Sequence, residues 1–225
     1  MDAIIASLFT PIGDDGLIGI YLILNGLKVT LTVTFFAMLL GSALGICTTL
    51  MKMSDKFYLR WPANFYVGLI RGTPVVIQLV ILYFIILSSL DIDKTTAAII
   101  AFGLNSGAYI SEIIRAGIQS IDKGQMEAAR SLGLSQNMAM QEVVLPQATK
   151  NILPALGNEF IVLLKETAVI GFIGGVDLMR AGEIIRSRTF EDVVPLLTCA
   201  LIYLLLTYSF TFMLGKFEKR LQQSD

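Results

Sequence analysis

The sequence predicts an all-α, polytopic membrane protein with five transmembrane helices in a single domain, residues 1–225. Hydrophobic residues make up 55% of the 225 residues. Charged residues make up 16%, whereas soluble domains carry about a quarter. The mean hydropathy is +0.72, and the apolar residues form runs long enough for a bilayer, which needs about 20 helical residues.

The five predicted spans follow these apolar runs in chain order. The first is longer than a bilayer requires, which leaves room for tilt or for protrusion at one end. The third is the most polar, because it contains an asparagine, a glutamate and an arginine. We place the spans at residues 20–50, 65–87, 95–117, 152–176 and 193–214.

Basic residues collect in alternate connections, and this predicts the orientation. Lys and Arg favour the cytoplasmic side of membrane proteins. The N-terminal tail has aspartates and no basic residue, and the second connection has a single lysine. The fourth connection mixes both charges. The basic segments are the first connection (Lys52, Lys56, Arg60), the third (Lys123, Arg130, Lys150) and the C-terminal tail (Lys216, Lys219, Arg220). The N-terminus is therefore expected outside and the C-terminus in the cytoplasm.

Composition also excludes several classes of function. The chain has no histidine, which excludes a histidine-based triad, proton relay or zinc site. Its two cysteines, Cys47 and Cys199, lie within apolar runs and are expected to be buried rather than disulfide-bonded. The net charge of −1 gives no electrostatic case for nucleic-acid binding. No phosphate-binding loop of the form G-x-x-x-x-G-K-[ST] is present, so we expect neither a catalytic residue nor a metal site.

The cytoplasmic loop, residues 121–150, divides into two short helices by its local chemistry. Asp122, with a glutamine three residues later, has the form of a capping box. Gly133 is suited to end the first helix in a left-handed conformation, and Ser135 can cap the second. Pro146 and Pro154 are expected to separate the second helix from the fourth span.

Two interpretations of this loop remain open on physical grounds alone. Its helices could simply cover the end of the bundle. Alternatively they could dock a partner, with Ala128, Ala129 and Leu132 as a small apolar patch that Glu127 and Arg130 hold in register.

The stretch "EAARSLGLSQNMAMQEVVLP" resembles the EAA loop of the permease subunits of ATP-binding-cassette (ABC) importers. That pattern is Glu-Ala-Ala, three residues, Gly, nine residues, then Ile-x-Leu-Pro, and only Val143 departs from it. Further segments resemble the polar-amino-acid branch of these permeases: "RGTP", "LNSGAY", "EIIRAGI", "KGQ", "LPQA" and "LLKET". The matching loop residues are Glu127, Ala128, Ala129, Gly133, Leu145 and Pro146, with Arg130 beside them.

The resemblance implies a type I ABC importer permease fold with a cytoplasmic coupling helix. It implies a passive half-channel in a prokaryotic cell membrane, surrounded by lipid. ATP and Mg would be bound by a separate cytoplasmic ATPase subunit, and this chain would bind no cofactor. An external solute-binding protein would deliver the amino acid, and a second permease subunit would complete a homo- or heterodimer.

Ionisable residues inside the predicted spans are candidates for the substrate pathway. Glu159 and Glu166 are seven residues apart and nearly share a helical face, so they could receive a cationic amino acid. Internal pairing, for example with Lys165, is the alternative, and we regard Lys165 and Glu166 as mainly architectural. Asn105 and Ser106 could offer hydrogen bonds at mid-membrane depth or could serve helix packing.

Four more residues are expected to be structural near the pathway. Glu112 and Arg115, three residues apart, predict a local ion pair near the cytoplasmic end of the third span. Arg71 and Pro74 are expected to shape the inner end of the second span.

Two other classes of function compete with an importer subunit. A stand-alone secondary amino-acid transporter would use the membrane charges for ion coupling, but it predicts a longer chain or inverted repeats. An intramembrane enzyme would need a convergent catalytic constellation, and the sequence offers none.

Overall fold

The computed structural model describes residues 8–12 and 16–222. A short antiparallel pairing of β1 (Pro11–Ile12) with β2 (Leu17–Ile18) precedes the helices. The helices are α1 (Gly19–Met53), α2 (Phe57–Arg71), α3 (Val75–Ile81), α4 (Lys94–Gln119), α5 (Lys123–Ser131), α6 (Gln136–Ala139), α7 (Leu145–Glu166), α8 (Leu178–Thr189) and α9 (Val193–Gln222). π-helical turns Leu82–Ile86 and Met140–Val144 extend α3 and join α6 to α7, and a 3-10 segment, Thr167–Ile173, extends α7. The predicted all-α fold is confirmed.

Three of these helices are each long and apolar enough to cross a membrane: α1, α4 and α9. They coincide with the first, third and fifth predicted spans. The 35 residues of α1 extend over about 52 Å, well beyond the roughly 30 Å of a hydrocarbon core. The surplus length predicted for the first span is therefore present in the helix.

The second predicted span, residues 65–87, is wrong as a single helix. α2 ends at Arg71, and α3 begins after Pro74 at an angle of 108° to it. Proline disfavours helical geometry in the residue before it, which breaks the helix here. The side-chain amide of Gln78 donates to the backbone carbonyl oxygens of Ile70 and Thr73, at 2.7 and 2.9 Å. Carbonyl groups that lose their helical partners at the break are therefore hydrogen-bonded to this side chain.

The expected break between the cytoplasmic loop and the fourth span is also wrong. Helical structure continues from Gln136 to Glu166 through the π turn. Pro146 lies in the first turn of α7, where a missing amide hydrogen costs little, and Pro154 lies inside the helix. The second helix of the loop and the fourth span are therefore one rod.

The predicted fourth connection contains a helix, α8, that the charge pattern did not reveal. The preceding 3-10 segment ends at Gly174, whose φ of 71° is left-handed. Asp177 is fully buried and caps α8, accepting from the amides of Met179 and Arg180. A Cβ added at Gly26 of α1 would lie 2.6 Å from the Asp177 carbonyl oxygen, so α8 is packed directly on α1.

The centre of the bundle is the parallel packing of α1 against α4. Gly41 faces Ser106 and Gly107, and Gly45 faces Ile110, each at a distance that leaves no room for a side chain. Small residues that let helix backbones approach are typical of membrane helix pairs.

At the start of α4, the Thr96 hydroxyl and the amides of Thr95 and Thr96 donate to Asp93 and hold the pKa of this exposed carboxyl below its usual value.

Candidate functional site

The EAA segment forms a helix with a tightly defined end. Asp122 caps α5 by accepting from the Gly124 amide at 2.6 Å. At the other end, the Gly133 amide donates to Arg130 O (3.0 Å) and the Leu134 amide to Ala129 O (3.2 Å). With Gly133 at a φ of 92°, this is a Schellman motif. Asp122 and Gly133 thus act as predicted from the sequence.

Ser135 also caps α6 as predicted, by accepting from the Met138 amide. The α5–Gly133–α6 segment is therefore a compact helical hairpin at one end of the bundle. Its Ala139 and Val144 are buried, with exposed fractions of 0% and 5%. The hairpin is anchored on that side and presents its other side outward.

The outward side of the hairpin contains all but one of the residues that the sequence predicted for a docking patch. Ala129 is only 5% exposed, because it packs inside the hairpin, so it cannot contact a partner directly. Glu127, Ala128 and Arg130 are exposed, and Leu132 is 85% exposed. The residues of the expected patch that a partner could reach are therefore Ala128 and Leu132, with Glu127 and Arg130 beside them.

The two other residues of the EAA pattern lie at the start of α7. Leu145 and Pro146 are both exposed. Because they follow the π turn directly, they join the hairpin to α7 without a flexible linker. The hairpin is therefore followed directly by the helix that carries Glu159.

A cluster of hydrogen-bonded polar side chains lies in the middle of the bundle. Ser106, fully buried on α4, donates a hydrogen bond of 2.9 Å to Glu159 on α7. Asn105, 3% exposed, donates at 2.9 Å to the side-chain oxygen of Gln78. Two adjacent residues of α4 thus contact different elements, α7 and α3.

Gln78 and Thr73 belong to this cluster and were missed by the sequence reasoning. The Gln78 amide nitrogen also donates to Thr73 Oγ1 at 2.8 Å. Gln78 is the only polar side chain that can make such bonds within "VVIQLVIL", and this isolation in an apolar run was the available signal. The cluster therefore extends from the α2–α3 break to Glu159.

The remaining charges of the fourth predicted span do not join this contact. Lys165 is exposed and Glu166 is half-buried. Among the ion pairs of residues 8–12 and 16–222, none involves Glu159, Lys165 or Glu166. Lys165 is nevertheless close enough to Glu166 to interact with it electrostatically, so internal pairing of these two charges stays a prediction.

Glu112 is the centre of a cluster of ion pairs that joins three helices. It pairs with Arg115 at 2.6 Å, as the spacing predicted. It also pairs with Lys52 at the end of α1 and, at 3.6 Å, with Arg71 at the end of α2. The Arg71 guanidinium lies 5.4 Å from the centre of the Tyr109 ring. Pro74, three residues after Arg71, immediately precedes α3, so both residues lie at the break.

A cavity of about 580 Å³ opens beside the hairpin and is lined by residues that include Ile121, Lys150, Asn151 and Glu218. Asn105, Ser106 and Glu159 do not line it. In the part of the chain that the structure covers, no group of three His, Cys, Asp or Glu side chains is arranged to hold a metal ion.

Comparison with known proteins identifies closely similar chains. The putative glutamine transport system permease protein GlnP of Rickettsia typhi is 41% identical over 204 residues, covering 90% of this chain and 94% of that protein. The arginine transport system permease protein ArtQ of Bacillus subtilis is 44% identical over 205 residues, covering 90% and 94%.

Two solved transporter structures are also similar to this chain. A crystal structure of an amino acid ABC transporter with histidines matches with a TM-score of 0.85 and 47% identity, covering 88% of this chain and 94% of that one. An inward-facing methionine transporter, MetNI, matches in fold at a TM-score of 0.76 and 21% identity. Residues 37–223 match the family described as "Binding-protein-dependent transport system inner membrane component", and the chain therefore belongs to this family of membrane permeases.

Proposed function

We propose that the chain is the membrane-spanning permease subunit of an ABC importer that moves a polar amino acid into the cytoplasm. A separate ATPase subunit binds ATP and Mg and supplies the energy. A solute-binding protein delivers the amino acid, and a second permease subunit completes the pathway. Relatives whose names specify glutamine and arginine transport support a polar substrate.

The observation that carries this proposal is the α5–α6 hairpin. Its outward side presents Glu127, Ala128, Arg130 and the exposed Leu132. The Schellman motif at Gly133 fixes its shape, and α7 continues from it as a rod. Such a hairpin can contact a docked ATPase and transmit a conformational change of that subunit to the bundle.

Two lysines of α1 support the orientation and give a depth scale. Lys28 and Lys52 enclose residues 29–51, an uncharged run about 34 Å long and therefore matched to the hydrocarbon core. We assign the Lys52 end, which also carries the hairpin, to the cytoplasm because basic residues favour that side. Gly41, near the middle of the run, contacts Ser106, so Ser106 and Glu159 lie near mid-membrane.

Glu159 is the proposed contact for the substrate. A carboxylate has about four acceptor positions, and Ser106 uses one of them. An ionisable residue at mid-membrane depth is costly and typically faces a cavity or a partner. A cationic side chain or an amide donor of a passing amino acid would satisfy the remaining positions.

Uptake by proteoliposomes tests the function. The chain is reconstituted with its ATPase and binding protein, with ATP at the ATPase side. We expect accumulation of a radiolabelled polar amino acid only when all components and ATP are present. Accumulation driven by an ion gradient with no ATPase would instead support a stand-alone secondary transporter and would contradict the proposal.

A further inference from the structure

Two stripes of side chains run next to each other along α2. Residues four apart share a face of a helix, and two such series start at neighbouring positions. The polar stripe consists of Lys56, Arg60 and Asn64, and the aromatic stripe consists of Phe57, Trp61 and Phe65. Every member of both stripes is exposed.

The opposite face of α2 holds it on the bundle. Ala63 and Val67 are 3% and 5% exposed, and the Tyr66 hydroxyl donates to Leu104 O of α4 at 2.5 Å. Trp61 and Phe65, in contrast, are 58% and 60% exposed, with their rings stacked at 5.7 Å. The two stripes thus form a fixed surface that this chain leaves uncovered.

The cations of the polar stripe are available for an external anion. Within residues 8–12 and 16–222, neither Lys56 nor Arg60 forms an ion pair, although Asp55 is adjacent in sequence. The Lys56 ammonium lies 5.9 Å from the centre of the Tyr58 ring. Two unpaired cations within one helical turn attract a phosphate group.

The position of α2 places this surface at the edge of the apolar layer. Lys52, just before α2, and Arg71, at its end, both contact Glu112. Because the uncharged run of α1 ends at Lys52, the start of α2, with Lys56 and Arg60, lies at the edge of the apolar layer, whereas Tyr66, further along α2, contacts Leu104, two residues from Ser106. Tryptophan and tyrosine concentrate at this depth, where a ring meets both headgroups and acyl chains.

We propose that this surface binds an acidic phospholipid, with the phosphodiester headgroup on Lys56 and Arg60 and an acyl chain along Phe57, Trp61 and Phe65. A free phosphate would use the polar stripe alone. The parallel aromatic stripe matches the acyl chain that is attached to a lipid phosphate. The inference does not depend on which amino acid is transported, nor on transport itself.

Trp61 is the single tryptophan of the chain, so its fluorescence reports on this site alone. The full-length chain is reconstituted into lipid vesicles that contain brominated phosphatidylglycerol or, at the same mole fraction, brominated phosphatidylcholine. Bromine quenches tryptophan at close range, so the quenching gives relative lipid association at Trp61. We expect phosphatidylglycerol to associate about threefold more strongly or better, with the preference reduced at high salt.

The double variant K56Q/R60Q is expected to lose this preference while Trp61 remains quenchable. The matched control K216Q/K219Q removes two exposed lysines from α9 and should keep the preference. Loss of preference in both double variants would indicate a general charge effect and overturn the proposal. Equal quenching by the two lipids in the unsubstituted chain, a preference that is insensitive to salt, or weak quenching by both, as when a protein covers α2, would also overturn it.

Discussion

Ser106 Oγ on α4 donates a hydrogen bond of 2.9 Å to Glu159 Oε1 on α7. Ser106 is fully buried and lies against Gly41 of α1, so this one contact fixes the carboxylate where three helices meet. α7 also follows directly from the α5–α6 hairpin through the π turn, so Glu159 lies on the helix next to the hairpin on which we propose that an ATPase acts. If the proposed function is correct, a movement of the hairpin would change the position of this carboxylate.

Replacing Glu159 with glutamine should reduce transport of a cationic amino acid much more than that of a neutral one. The substitution keeps the size and the contact with Ser106 but removes the charge. A hydrogen bond to a charged group contributes about 1.5–3 kcal/mol, and about 1.4 kcal/mol is tenfold. We expect arginine uptake in proteoliposomes to fall about tenfold or more, and glutamine uptake to change about twofold or less.

Glu166→Gln is the matched control for this experiment. It removes the same charge from the same helix, seven residues further on, from a half-buried position without an ion pair in the part of the chain described by the structure. Equal effects of the two substitutions on arginine uptake would show that the loss is not specific to Glu159.

Substitution of Gly133 should impair coupling through backbone conformation alone. A Cβ added there meets no atom within 4 Å, but φ is 92°. A left-handed conformation costs a residue other than glycine about 1–2 kcal/mol, and asparagine tolerates it best. We expect ATP-driven uptake to decrease in the order glycine, asparagine, alanine.

Gly215→Ala provides the comparison, because a Cβ at Gly215 is also free of contacts and φ is not left-handed there. It should leave uptake unchanged. If Gly133→Ala transports as well as Gly215→Ala and binds the ATPase equally, the shape of the hairpin is not what couples the two subunits.

The sequence predicted those features that depend on local chemistry. The caps at Asp122 and Ser135 and the left-handed Gly133 require only a few neighbouring residues, and all three are present. The apolar runs likewise located α1, α4 and α9, since hydropathy alone determines whether a helix can lie in lipid.

Features that depend on tertiary contacts were not predictable in this way. The break after Arg71 is stabilised by Gln78, seven residues away, whose hydrogen bonds exist only once the helices are bent. α7 tolerates Pro146 because this residue lies in its first turn, directly after a π turn that the sequence did not predict. α8 depends on a buried Asp177 packed against Gly26, and no local pattern connects residues so far apart in sequence.

Glu112→Gln should destabilise the bundle at the end that carries Lys52. Glu112 is the shared partner of Lys52, Arg71 and Arg115, and the Lys52 side chain is only 12% exposed. Leaving a partly buried cation with a neutral partner costs about 1–3 kcal/mol. We expect a lower thermal unfolding temperature, measured by the fraction that remains monodisperse after heating.

The exposed Glu142, in the π turn between α6 and α7, is a suitable control, since Glu142→Gln removes a carboxylate with no ion pair among the described residues. A double-mutant cycle with Lys52→Gln measures the direct coupling. Strictly additive losses from Glu112→Gln and Lys52→Gln would mean that the pair between α1 and α4 does not stabilise the protein.

Gly26→Ala should displace α8 from α1. The added Cβ would lie 2.6 Å from the Asp177 carbonyl oxygen and 3.0 Å from the Ala181 side chain, and the first of these atoms is backbone that cannot rotate away. Overpacking of this kind costs about 1–3 kcal/mol, so the unfolding temperature should fall. Gly68→Ala places the same methyl group on an open helical surface and should be neutral or slightly stabilising, because alanine favours a helix over glycine by about 1 kcal/mol. Equal unfolding temperatures for the two variants would mean that α8 is not held against α1 at Gly26, and that the outer end of the bundle is looser than this contact implies.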